Sequence, residues 1–211
     1  MEDNTKIFCI GLNKTGTVSL HEAFLMLGIS SVHFISDKGE DIKEIIKNNH
    51  ENNRKLMEGI EEYRAYSDWS IPSTNMLFKD FDKQYPGSKF ILNTRDLEGW
   101  LNSREKHVNR IPNLKQLQKQ HPDNPWYTID KENWKIEYDE HHKDVHQYFK
   151  GREKELLVFD LSKGDSWEKL CPFLDAEIPK QPFPKSNTAK SLTLIGKIRN
   201  KLSKIIKKKS I

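Results

Sequence analysis

"IFCIGLNKTGTVSLHEAFLMLG", Ile7 to Gly28, runs a short apolar segment into a glycine-bracketed turn and then into a helical pattern. Ile7, Phe8, Cys9 and Ile10 follow one another without polar interruption, as in the buried strands of parallel sheets. Beyond the turn, Leu20, Phe24, Leu25 and Leu27 recur at helical spacing, and Gly28 stands where a helix stops. A strand that feeds a helix through such a turn points several backbone N–H groups at one spot, at the positive end of the helix dipole. Lys14 adds a mobile charge, and Thr15, Thr17 and Ser19 add hydroxyls. The stretch is therefore read as an anion cradle; the plainer alternative is a strand–helix turn that happens to hold a lysine.

The order of the letters excludes the commonest phosphate loops. Gly11 and Gly16 have the spacing of G-x-x-x-x-G-K-[ST], but Thr17 and Val18 follow Gly16 and the lysine precedes it. A dinucleotide G-x-G-x-x-G is absent. Lys14-Thr15-Gly16 with the S-x-x-K of Ser103 to Lys106 imitates serine β-lactamase motifs, yet in reversed order and without S-D-N.

Outward from this unit, strands and helices alternate. "ISSVHFI" and "ELLVFDL" read as strands, and "SKFILNTRD" is the clearest strand after the first. "PSTNMLFKDFDKQYPG" reads as a helix from Ser73 to Pro86-Gly87, and "LEGWLNSREKHV" as another. Glu132–Tyr148 is an amphipathic helix, residues 40–63 hold helical material, and "DSWEKLCPFL" is a helix broken at Pro172. Residues 111–132 are irregular with a short helix inside. The alternation implies an α/β fold around a mostly parallel sheet.

The 211 residues fit one domain with an appendage. A mean hydropathy of −0.81 and the lack of a long apolar run argue against a membrane span, and the N-terminus shows no signal-peptide pattern. Cys9 and Cys171 have no metal or redox spacing and suit a reducing cytoplasm. The net charge is +4, but the segment from Lys190 to Ile211 holds eight Lys or Arg and no acid; removing it leaves −4 on residues 1–189. Residues 1–189 are thus one domain and 190–211 a basic tail. In the tail Ile198 and Leu202 share a face with neighbouring leucines and isoleucines, which suits an anionic membrane surface at the cytoplasmic side. Nucleic acid is not expected, because the body is acidic and lacks a stacking motif.

A second constellation gives the anion an identity. Arg95 closes the strand "KFILNT", where ligands bind in open α/β sheets, and Ser103 lies about two turns into the next helix. A guanidinium and a hydroxyl converging there would hold a second phosphate. K-T-G-T after the first strand and R-D-x-x-x-W-x-x-S after a later one resemble the PAPS-dependent sulfotransferases, specifically the small P-loop branch, over roughly residues 5–187. The resemblance implies a P-loop NTPase-like three-layer sandwich and transfer of a sulfuryl group from PAPS to a hydroxyl or amine of a small molecule, lipid or glycan. It implies a donor site of Asn13, Lys14, Thr15, Gly16, Thr17, Val18, Arg95 and Ser103, with Lys14 stabilising the leaving group and no metal. Asn13 and Val18 depart from the family pattern, in which Pro or Arg and a hydroxyl residue are common.

For the acceptor's proton, Asp68 in "AYSDWSIP" is the first choice and His33 the second. Alternative functions are another P-loop transferase or kinase, or a non-catalytic nucleotide-binding domain. Trp100 reads as core, and "NPWYTIDKENW" as acceptor-side or lid material.

Overall fold

The computed structural model describes residues 5–69, 77–122 and 124–185. The expected first strand, β1 (Ile7–Cys9), pairs in parallel with β3 (Ala65–Tyr66) on one side and β4 (Lys89–Thr94) on the other. With β2 (Ser31–Val32) beyond β3 and β5 (Leu156–Asp160) beyond β4, the order is β2-β3-β1-β4-β5, and every pairing is parallel.

Because side chains alternate across a strand, β1 divides the core in two. Phe8 and Ile10 join Tyr66, Phe90 and Leu92 on one face of the sheet. There they meet α2 (Ile42–Glu51), α3 (Phe78–Gln84) and α6 (Lys131–Tyr148) through Ile42, Ile46, Phe78, Phe81 and Val145. Ile7 and Cys9 face the other way with Ala65, Ile91 and Phe159. They pack on α1 (Thr17–Met26) and α7 (Trp167–Phe173) through Leu20, Phe24, Trp167 and Leu170. The result is a helix–sheet–helix sandwich. A third cluster, Leu12, Trp100, Leu101, Val108 and Trp134, seats α4 (Leu97–Val108) against α6 beside the loop after β1.

Helix ends follow local chemistry. Gly28, at φ 71°, lets Ile29 N–H reach Phe24 O and Gly28 N–H reach Leu25 O, closing α1 as a Schellman turn. Asp96 caps α4 by accepting from Gly99 N–H at 2.6 Å.

Several details differ from expectation. β3 had not been foreseen; two residues in an otherwise polar stretch carry too little pattern to announce a strand. "ISSVHFI" pairs only through Ser31 and Val32, and Phe34 and Ile35 emerge exposed. Leu25 is exposed, so the buried face of α1 is Leu20, Ala23 and Phe24. Pro172 lies inside α7 rather than breaking it, and both it and Glu168, whose carbonyl its ring deprives of a donor, are exposed. A short α5 (Leu114–Gln120) is the helix inside the irregular region. The proposed helix start at Ser73 and the basic tail from Lys190 lie outside the described residues, and so does the boundary drawn at 189. Among the described residues, no helix is long and apolar enough to cross a membrane.

Candidate functional site

The loop from Ile10 to Gly16 is held from two sides. Gly11 N–H donates to Asn93 Oδ1 at 3.0 Å, and a Cβ on Gly11 would lie 1.8 Å from the Asn93 carbonyl oxygen, so only glycine fits. Asn93 Nδ2 donates to Thr15 Oγ1 at 2.6 Å, and Thr15 Oγ1 donates to Leu12 O at 2.5 Å. On the other side the fully buried Trp100 donates its indole N–H to Asn13 O at 2.8 Å. Trp100 is thus core, as read from sequence, and also a clasp on the loop. Lys14 at φ 64° and Gly16 at φ 97° take left-handed conformations, and no side chain caps α1. The N–H groups of Thr17 and Val18 at the start of α1 are therefore available to an anion, and the first turn carries no acidic residue to compete.

Two cavities meet at this loop. The first, about 470 Å³, is lined by Lys14, Thr15, Gly16, Arg95 and Ser103, five of the eight expected donor-site residues. Lys106, His107 and Arg110 join them, and among the described residues no carboxylate does. Ser103, Lys106, His107 and Arg110 stand at intervals of three, four and seven, one side of α4 and the turn after it. Arg95 is fixed through its backbone: Tyr138 O–H donates to Arg95 O at 2.6 Å. Its Nε is buried without a hydrogen-bond partner among the described residues, a donor awaiting a ligand.

The histidines of α6 support this edge of the sheet. His142 Nδ1 lies 2.7 Å from Tyr138 O, so it carries the hydrogen, and Nε2 accepts from Thr94 Oγ1 at 2.7 Å. His141 Nε2 donates to Ile10 O at 2.6 Å, and burial pushes its pKa down to about 4. Both are structural.

The second cavity, about 370 Å³, is lined by Asn13, Thr17 and Val18 together with His33, Phe34, Lys43, Asp68 and Trp126. Three residues expected at the donor site thus face this side. His33 Nε2 stands 3.0 Å from Thr17 Oγ1 and 3.4 Å from Asp68 Oδ2, which brings the two candidate bases together. Burial, outweighing the pull of Asp68, lowers the His33 pKa to about 4. His33 is neutral at pH 7, and its contact with Asp68 is not an ion pair. The cation facing Asp68 is Lys43, whose Nζ lies 3.5 Å from Oδ1 and 5.6 Å from the centre of the Trp126 ring. Trp126 also meets Arg104, which is buried among Trp100, Trp126 and Trp134 and bonded to Glu137 Oε2 at 2.5 Å. Part of the "NPWYTIDKENW" segment is therefore a cavity wall.

Lys14, Gly16 and His107 border both cavities. Burial lowers the Lys14 pKa, with Arg110 and Arg95 adding to the effect and Asp68 opposing it. Sequence reading had missed Lys43, Lys106, His107 and Arg110. The last three carried a signal in their helical spacing from Ser103, whereas Lys43 looked like the solvated side of an amphipathic helix.

A family model described as "Sulfotransferase domain" matches residues 6–192. The "Ava biosynthesis cluster protein M" of Aspergillus versicolor is 25% identical over 210 aligned positions, which cover 85% of this chain and 79% of that protein.

Proposed function

The chain belongs to the sulfotransferase family, and from that premise we propose that it transfers a sulfuryl group from PAPS to the hydroxyl or amine of a small molecule. The observation that carries this reading is the pair of cavities with Lys14 between them, one cationic and without a carboxylate among the described residues, the other containing a carboxylate beside an aromatic wall. The residues present fit a bisphosphorylated nucleotide. The open N–H groups of α1 and Lys14 suit the 5′ end, and the unpaired Arg95 Nε with Ser103 suits the 3′-phosphate. PAPS supplies an activated sulfuryl group on a phosphate leaving group.

The protein's own part divides among named atoms. Lys14 Nζ, at the border, offsets charge that develops on the leaving oxygen. Asp68 accepts the proton of the acceptor's O–H or N–H. Facing a carboxylate, His33 Nε2 carries its hydrogen and shares it between Asp68 Oδ2 and Thr17 Oγ1, which aims Asp68. Lys43 holds the other oxygen. A small-molecule acceptor is favoured by the modest cavity and by the relative's name, which ties that protein to a biosynthesis cluster. The test is transfer of label from [³⁵S]PAPS to a panel of aromatic and aliphatic alcohols and amines, with Lys14→Met as control. Labelled product that depends on Lys14 supports the reading; turnover of ATP in place of PAPS would overturn it in favour of a kinase.

A further inference from the structure

A group handed from one cavity to the other must pass the residues that border both. Of these, Lys14 already has a role and Gly16 has no side chain, which leaves His107. It projects from the last turn of α4, four residues after Ser103, on the helix side that lines the donor cavity. Lys14, Asp68, Lys43 and Arg110 all lie within its electrostatic reach.

We propose that His107 is a further catalytic residue, whose imidazole N–H donates a hydrogen bond to the sulfuryl oxygens while the group lies between the two cavities. This rests on the PAPS reading above. The alternative task for an imidazole at this border, taking the acceptor's proton, falls in this reading to Asp68, which lines the second cavity beside His33. Burial lowers its pKa, and the neighbouring cations Lys14, Lys43 and Arg110 add to the effect against the opposing pull of Asp68. A neutral ring keeps an N–H to donate. The donor cavity already holds Lys14, Arg95, Lys106 and Arg110. What His107 adds there is a neutral hydrogen-bond donor rather than a further charge.

The test compares two nucleotides by calorimetry without any acceptor: PAPS, which carries the sulfuryl group, and adenosine 3′,5′-bisphosphate, which lacks it. His107→Ala should weaken PAPS roughly 3–10-fold, the worth of one hydrogen bond, and leave the bisphosphate unchanged within about twofold, which also reports an intact fold. His107→Gln, which keeps an N–H but cannot take a proton in this range, should restore PAPS affinity. It should also restore the slow release of sulfate from PAPS to water, which His107→Ala should lower; there a water oxygen bonds to sulfur as the bond from sulfur to the bridging phosphate oxygen breaks, the electron pair leaves on the bisphosphate and the water's proton passes to solvent. Equal loss for both nucleotides would make His107 part of the nucleotide grip and overturn the proposal. So would no loss for either, or a glutamine variant as defective as alanine. Failure of the unaltered protein to bind either nucleotide would instead remove the donor reading on which the proposal stands.

Discussion

Substituting Gly11 by alanine probes the join between the loop and the sheet. The added Cβ would lie 1.8 Å from the carbonyl oxygen of Asn93 and 2.7 Å from its Cγ. Ordinary contact requires the two backbones to part by about 1.5 Å in a close-packed interior. Two hydrogen bonds cross that gap, Ile10 N–H to Ile91 O at 2.8 Å and Gly11 N–H to Asn93 Oδ1 at 3.0 Å. Each contributes about 1 kcal/mol net, and forcing a methyl group into packed surroundings costs about 1–3 kcal/mol. The loss is therefore about 3–5 kcal/mol, which in a chain of this size lowers Tm by about 6–20 °C. Thermal unfolding followed by circular dichroism reads the change directly. A Gly11→Ala protein that melts within about 2 °C of the parent would refute the reasoning, since β1 and β4 could not then be as close as described.

Other outcomes follow from the same contacts. Trp100→Phe removes the donor to Asn13 O and should cost about 1–3 kcal/mol of stability, with weaker nucleotide binding. If the bisphosphate binds as well as before, the clasp is not what orders the loop. Asp68→Asn should lower transfer by about 10²–10⁴-fold while nucleotide affinity holds; retained turnover would move the base elsewhere. His33 and His141, both with folded pKa values near 4, bind fewer protons than they do unfolded, where a histidine titrates near 6.5. Stability should thus be level above about pH 6.5 and fall as pH drops toward 4, by up to about 1.4 kcal/mol per pH unit for each. His141→Gln should flatten the slope, and an unchanged slope would count against burial of the neutral ring.

The sequence was most legible where pattern and burial coincide. β4 and α4 were read with nearly their observed limits, because Phe90, Ile91 and Leu92 form an unbroken apolar run and "LEGWLNSREKHV" coincides with the helix that follows. The loop declared itself through Gly11 and Gly16, whose need for glycine is steric and conformational. β3 stayed hidden because its pairing is decided by neighbours on both sides rather than by its own two residues. The border between two cavities is likewise a property of the assembled elements. His107 becomes meaningful only when the end of α4 reaches the loop after β1, and Lys43 only when α2 brings it to Asp68. Arg95 and Ser103, which line the first cavity together, could be read as a pair because one ends a strand and the other sits a fixed helical distance away.

Calorimetric titration with adenosine 3′,5′-bisphosphate and with ATP, on the protein and on Arg95→Ala, tests the donor cavity most directly. The bisphosphate should bind at least about tenfold more tightly than ATP. Loss of the guanidinium should weaken the bisphosphate by about 10–100-fold, the worth of a charge-assisted hydrogen bond to phosphate, with little change for ATP. Equal affinity for the two nucleotides, or indifference of the bisphosphate to Arg95, would contradict the account.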